Sequence, residues 1–359
     1  MARAHSIRRA AVVGAGSFGT AVAVLLERAG VRTSLLCHTE EQARELAEKR
    51  ENVRYLQGVQ LPHRIQVRGF GSRDEHPPRA DLILLAVPSH GLAEAIEALA
   101  RRGISERAYV VSLAKGLVPP DGMPPTIALE QAFGAERVGC VGGPAHAREM
   151  VESGAGLVCA SQSAALANEV AWVFQDAGVV CEVSSDPVGV ELAGCAKNAA
   201  ALASGATEAQ GLNAAGMAAA DIFSEVTALA RSYGAQSRTF IGRAGIGDLV
   251  ATALAPTSRN RSAGELLAEG VPGSEIPARL GQAAEALETV PLLARAIERA
   301  GVDAPVTSAL ARLIEGSLPL EEWVALVRAR QPEPPARFGG SWLRRFLARR
   351  RRRRNARRA

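Results

Sequence analysis

The residues best suited to chemistry in this chain are two amines. Of its 42 basic residues, 39 are Arg and only three are Lys, at positions 49, 115 and 197. A guanidinium stays charged near neutral pH, whereas an ammonium is compact and can release its proton when its surroundings disfavour charge. A Lys standing against so strong a preference for Arg is therefore a candidate acid or base. Lys49 lies in the charged run EEQARELAEKRE, where a solvated helix face explains it. Lys115 and Lys197 lie among Ala, Gly and apolar residues, where burial of an ammonium is costly and lowers its pKa, as proton transfer near neutrality requires.

Other candidates cluster at turns. Gly14-Ala15-Gly16-Ser17-Phe18-Gly19 follows an apolar β-branched run and opens a helical pattern. In that context Gly14, Gly16 and Gly19 permit a tight turn, close approach to a pyrophosphate and close helix packing, with the helix N-terminus attracting the anion. The expected ligand is a dinucleotide. The second strand ends Leu36-Cys37-His38-Thr39 with no carboxylate to read a ribose 2′-hydroxyl, so either NAD or NADP is allowed. His38 is equally compatible with an ordinary surface position. Val87-Pro88-Ser89-His90, Ala114-Lys115-Gly116-Leu117 and Gly142-Gly143-Pro144-Ala145-His146 each close an apolar run, at the strand ends where ligands bind in doubly wound sheets. Further along, Asp248 in GIGDL supplies a carboxylate, and Ser258-Arg259-Asn260 supplies a cation at a helix start suited to a phosphate.

The elements that must position these groups change character near residue 187. Up to that point β-branched runs alternate with helical patterns, with strands expected at 9–13, 33–37, 82–87, 108–113, 138–141, 156–160 and 180–184. This is the rhythm of a parallel sheet covered on both faces. Afterwards Ala- and Leu-rich segments predict helices over 188–210, 214–233, 242–254, 261–268, 277–300, 304–315 and 319–329. The expected fold class is α/β, a Rossmann-type doubly wound sheet over residues 1–187 followed by an all-helical domain over 188–330. A Pro-rich linker and basic tail would occupy 331–359 and be disordered.

Composition narrows the class further. The 359 residues are 47% hydrophobic, enough for two buried cores, and the five scattered Cys form no CxxC pair. Neither a disulfide framework nor a metal site is expected, and a cytoplasmic setting fits. The opening apolar run is broken by glycines and reads as strand and turn rather than as a signal segment. The formal charge of +5 is misleading: residues 336–359 hold eleven Arg and no acidic residue, leaving 31 basic against 37 acidic residues in 1–335. Within that tail Trp342, Leu343, Phe346 and Leu347 could lie on an anionic membrane, or the segment could attract nucleic acid or lipid nonspecifically.

Taken in order, GAGSFGTA at 14–21, YLQGVQLP at 55–62, VPSH at 87–90, AKGL at 114–117, GGPAHARE at 142–149, AKN at 196–198, GIGDL at 245–249, SRNR at 258–261 and GQAAE at 281–285 resemble the bacterial NAD(P)-dependent glycerol-3-phosphate dehydrogenase family. The resemblance spans roughly residues 9–330. It implies reversible reduction of dihydroxyacetone phosphate to sn-glycerol 3-phosphate for glycerophospholipid synthesis. It implies dinucleotide contacts at Ser17, Phe18, His38, Lys115, Ala147, Arg259, Ala283 and Glu285. Lys197 would donate and accept the proton, with Asp248 tuning it. Lys115, Gly143, Ala145, Asp248, Ser258, Arg259 and Asn260 would surround the small phosphorylated substrate, and a homodimer is compatible. Two departures stand out: Ala145 replaces the family's hydroxyl residue, and residues 211–222 keep Asn213 but lose two Arg and a Thr. They leave open a related dehydrogenase for another phosphorylated or carboxylated hydroxy compound, or a weakly catalytic dinucleotide-binding protein.

Overall fold

The computed structural model describes residues 5–70, 79–255 and 258–329. Among these residues the first half builds ten strands: β1 (Arg9–Val13), β2 (Arg32–Cys37), β3 (Glu51–Asn52), β4 (Leu56–Gln60), β5 (Gln66–Gly69), β6 (Leu82–Leu85), β7 (Tyr109–Ser112), β8 (Val138–Gly142), β9 (Gly156–Ala160) and β10 (Val180–Ser184). Eight of them form one sheet in the order β10-β9-β8-β7-β6-β1-β2-β5, and β3 with β4 make a separate antiparallel hairpin. Helices α1 (Ser17–Arg28), α2 (Glu40–Lys49), α3 (Leu92–Arg102), α4 (Pro125–Phe133), α5 (Ala147–Glu152) and α6 (Ala164–Asp176) cover it. Strands β6 and β1 are apolar and almost entirely buried, as strands packed on both faces must be. The chain runs outward from β1 through β2 to β5 and returns to β6 on the other side of β1, so the strand order reverses between β1 and β6. Ligand crevices form at such a reversal.

The sheet is not wholly parallel, contrary to the sequence expectation. β8 and β9 pair antiparallel, while β9 and β10 are parallel to each other. The cause is local: after β8 the chain makes only the single short helix α5 and comes back to its own start, where Gly156 N donates to Pro144 O at 3.2 Å. A parallel return would need a crossover to the far end of the strand. The β3–β4 hairpin, β5 and the short helix at 237–241 were not anticipated either, because their mixed polar sequences carry no sustained period.

From residue 187 the chain is helical: α7 (Pro187–Thr207), α8 (Leu212–Ser232), α9 (Ser237–Ile241), α10 (Asp248–Leu254), α11 (Arg259–Ala268), α12 (Ile276–Leu280), α13 (Glu285–Ala300), α14 (Pro305–Ile314) and α15 (Leu320–Ala329). Two expected helices are broken. Residues 242–254 divide into a π turn over Arg243–Gly247 followed by α10, and 277–300 divides at Gly281, which adopts a left-handed cap between α12 and α13. Helix α7 is buried on nearly every side and packs against α8, α11 and α13, so it lacks the polar face of a surface helix. Among the described residues no helix is long and apolar enough to cross a membrane. The expected linker and basic tail lie outside the described residues.

Candidate active site

The glycine turn sits at the crevice between β1 and β6. Gly14 has φ +106°, and a Cβ there would lie 2.6 Å from the Ala86 carbonyl oxygen at the end of β6. Only glycine meets both conditions. Gly16 differs: a Cβ would meet nothing within 4 Å. It precedes α1, whose N-terminus receives no side-chain cap, so the first-turn amides beside Ser17 and Phe18 face an open site. Open space and uncapped amides fit a pyrophosphate, and the turn can hold a dinucleotide. Two side chains that sequence reasoning missed fix this turn from behind. Gln42 Nε2 and Asn52 Nδ2 both donate to the Ala15 carbonyl, at 3.2 and 3.0 Å, and Asn52 also reaches Thr20 Oγ1 at 2.7 Å. Gln42 in addition accepts from His38 N at 3.2 Å, joining the end of β2 to the turn. Gln42 was indistinguishable from its neighbours on a charged helix, and Asn52 from a loop residue.

Across the crevice the two amines meet at one carboxylate. Lys115, just beyond β7, places Nζ 2.7 Å from Asp248 Oδ2 and 3.0 Å from Gly143 O. Lys197, on the buried helix α7, places Nζ 3.9 Å from the same Asp248 oxygen. Burial lowers the Lys197 pKa below the ordinary amine value; Lys115 and Arg259 push the same way, and Asp248 and Glu285 oppose them. Burial works against the charge on Asp248, but the two ammoniums outweigh it and hold the carboxyl below its usual range. The result is an anion shared by two cations, one of them on a buried helix that disfavours its charge. Lys49 instead forms an exposed ion pair with Glu45 at 2.7 Å along α2.

Behind the amines a polar chain ties four elements together. Asn198 Nδ2 donates to the Lys115 carbonyl at 3.1 Å and to Glu285 Oε2 at 3.0 Å, while its Oδ1 accepts from Asn260 Nδ2 at 2.9 Å. Asn260 Oδ1 accepts from Ala286 N at 3.0 Å. Asn260 is thus committed largely to the scaffold. Ser258 caps α11 by accepting from Arg261 N, and exposed Arg259 donates to Ala283 O at 3.3 Å. Ala145 and Ala147 are partly buried against the core beneath α1, at the turn that enters α5. The fold therefore gathers Lys115, Gly143, Lys197 and Asp248 directly and brings Arg259, Asn260, Ala283 and Glu285 to the same rim. His38 belongs with the glycine turn and has no described contact to the lysines.

The family model described as NAD-dependent glycerol-3-phosphate dehydrogenase N-terminus matches residues 9–168, and that described as the C-terminus of the same protein matches residues 186–325. The chain belongs to the NAD-dependent glycerol-3-phosphate dehydrogenase family. Glycerol-3-phosphate dehydrogenase [NAD(P)+] of Chlorobium limicola is 35% identical over 90% of this chain and 98% of its own length. The protein of the same name from a Parafrankia species is 37% identical over 92% of this chain and 100% of its own. Among solved structures, glycerol-3-phosphate dehydrogenase from Coxiella burnetii superposes with a TM-score of 0.82 at 26% identity, covering 90% of this chain and 99% of that one. Its agreement with a structure of the same family spans the sheet and the helical half together.

Proposed function

We propose that this member of the family reduces dihydroxyacetone phosphate to sn-glycerol 3-phosphate, reversibly, with NADH or NADPH. The observation that carries this reading is the convergence of Lys115 and Lys197 on Asp248, across the crevice from a glycine turn open to a pyrophosphate. A bound reduced nicotinamide supplies the hydride to the ketone carbon. Lys197 gives its proton to the oxygen that becomes the C2 hydroxyl, and in the reverse direction its neutral amine takes that proton back. Asp248 favours the ammonium form against the effect of burial, which supports Lys197 as the proton donor. Lys115 adds positive charge near the same oxygen, where it favours the developing negative charge. The substrate phosphate meets Arg259 and the N-terminus of α11 capped by Ser258, with Asn260 contributing the amide hydrogen its scaffold bonds leave over.

The cofactor residues fit the same scheme. Ser17 and Phe18 lie at the start of α1, and Glu285 and Ala283 lie beside Arg259 at the rim. Glu40, the first carboxylate after β2, packs against Gly69 on β5, and no acidic residue precedes it at the strand end. This favours tolerance of a 2′-phosphate. The boundary we infer between the dinucleotide-binding and catalytic domains is at residue 187, where α7 begins. A homodimer and a lipid- or nucleic-acid-attracting tail complete the reading. The apolar exposed side chains Ile246, Val250 and Leu254, spaced four apart along the π turn and α10, support the former. The Arg-rich composition of 336–359 supports the latter.

The decisive experiment is oxidation of NADH and of NADPH with dihydroxyacetone phosphate, by the full chain and by Lys197→Ala. The variant is expected to lose about 10²- to 10⁴-fold in kcat as a missing general acid. Retention of most wild-type turnover would remove Lys197 from the mechanism.

A further inference from the structure

Lys115 reaches Asp248 from a connecting segment, residues 115–126, that leaves β7 and ends in the first turn of α4. Both ends of this segment are held by one helix, the one that carries Lys197. At the near end Asn198 Nδ2 donates to the Lys115 carbonyl at 3.1 Å. At the far end Glu191 Oε1 accepts from Thr126 N at 2.9 Å, and Glu191 Oε2 lies 2.7 Å from Thr126 Oγ1. Glu191 and Asn198 are seven residues apart, two turns of α7, and so project from the same face. Between them the Lys115 side chain lies along the helix at Gly194, where a Cβ would make ordinary van der Waals contact, 3.7 Å from the Lys115 Cβ.

Glu191 takes no part in the proton or hydride chemistry, yet it is a carboxyl buried to 3% exposure against a fully buried Thr126. The N-cap residue Pro124 offers α4 no side-chain cap, and Glu191 takes that place by accepting from Thr126 N. Burial pushes the Glu191 carboxyl up to about 8 despite the Thr126 hydrogen bonds, so near neutrality it is mostly uncharged, able both to accept from the amide and to exchange a hydrogen bond with the hydroxyl. Glu191 also lines the same small cleft as Lys115, Gly143 and Asp248.

We propose that Glu191 is a positioning residue for Lys115. By clamping Thr126 to α7 it completes a two-point attachment, with Asn198 as the other point, that fixes where Lys115 stands relative to Lys197 and Asp248. This inference rests on the reading that those three groups form the reaction centre.

The test uses the full chain with Glu191→Leu, Glu191→Gln and Thr126→Val, and two independent readouts. The first is steady-state kinetics with dihydroxyacetone phosphate and NADPH. The second is the rate of reductive methylation of each lysine by formaldehyde and cyanoborohydride, followed by mass spectrometry; the three lysines are separately assignable and Lys49 is the internal standard. Glu191→Leu is expected to lower kcat by roughly 10- to 100-fold, the scale of a small misplacement at a reaction centre, with the KM for NADPH unchanged. Lys115 should methylate faster than in the wild type, relative to Lys49. Glu191→Gln can still accept from Thr126 N and donate to Thr126 Oγ1, and should restore most of kcat and the slow labelling. Thr126→Val keeps the amide bond but loses the hydroxyl, and should fall between the two.

A folded Glu191→Leu with wild-type kcat, or with reduced kcat but unchanged Lys115 labelling, overturns the proposal. So does Glu191→Gln behaving like Glu191→Leu. If Glu191→Leu does not fold, Thr126→Val decides by the same two readouts. If the wild type turns over no phosphorylated ketone, the reaction assignment fails separately and Lys115 labelling alone decides the clamp.

Discussion

Replacing Asp248 by Asn tests the electrostatics of the site most directly. The substitution keeps the shape of the side chain and removes the negative charge that two ammoniums share. Lys197 Nζ lies 3.9 Å from Asp248 Oδ2. At an effective dielectric of about 20, a pair of unit charges at that distance interacts by about 4 kcal/mol. Losing this attraction lowers the Lys197 pKa further, because Asp248 is the nearest group that favours the ammonium. Burial, Lys115 and Arg259 already hold that pKa below the ordinary amine value, and none of these influences is removed by the substitution. The amine should therefore give up its proton more readily, leaving less of the ammonium form for ketone reduction. The assay is kcat for dihydroxyacetone phosphate reduction across pH 5 to 9. Asp248→Asn should be at least about 100-fold slower than wild type at neutral pH and recover as the pH falls and Lys197 regains its proton, shifting the whole profile toward acid. In the oxidative direction, where a neutral amine is needed, the loss should be smaller. A variant whose profile keeps its wild-type position, merely scaled down, would refute the argument that Asp248 sets the protonation of Lys197.

Three further outcomes follow from other parts of the structure. Gly16→Ala should leave the thermal midpoint unchanged, since the new methyl meets nothing, yet raise the KM for the dinucleotide by about 10-fold or more through interference with the pyrophosphate; Gly14→Ala should instead destabilise the fold by more than about 2 kcal/mol, from its positive φ and its contact with Ala86. Equal effects of the two on stability would contradict this division. Because the Glu191 carboxyl is raised to about 8 in the folded protein and ionises near the ordinary value when unfolded, the native state binds more protons between those limits, and stability falls as pH rises through that window. The slope is at most about 1.4 kcal/mol per pH unit, and urea unfolding at several pH values should find it absent in Glu191→Gln. Asp186 caps α7 through Gly189 N at 3.0 Å and accepts from Gln236 N at 2.9 Å and from Thr239 Oγ1, so Asp186→Ala should cost about 2 to 4 kcal/mol in chemical denaturation; a loss below about 0.5 kcal/mol would show that this junction is not a stability determinant.

Much of the fold was legible from pattern alone. The buried strands β1, β6, β7 and β8 announce themselves as largely apolar runs, because a strand covered on both faces has few positions for a polar residue. Helices α7 and α8 are equally plain from composition. The elements that were missed, β3, β4, β5 and α9, are short and polar, and they exist because larger neighbours hold them: Asn52 on β3 is anchored to the glycine turn, and Thr239 on α9 to Asp186.

For the site, residue type and order were enough to single out Lys115, Lys197, Asp248 and Arg259, since scarcity of Lys and the chemistry of strand-end turns are properties of the chain itself. What only the tertiary structure decided is how those groups meet. That two amines 82 positions apart share one oxygen of Asp248, that Asn260 is bound into the scaffold through Asn198 and Ala286, and that Glu191 and Asn198 hold both ends of the segment bearing Lys115 all depend on the packing of α7 against the sheet and α11. The physical reason is one of range. Propensity and periodicity act over a few residues, whereas the charge state of a buried amine is set by whichever distant groups the completed fold brings within about 4 Å of it.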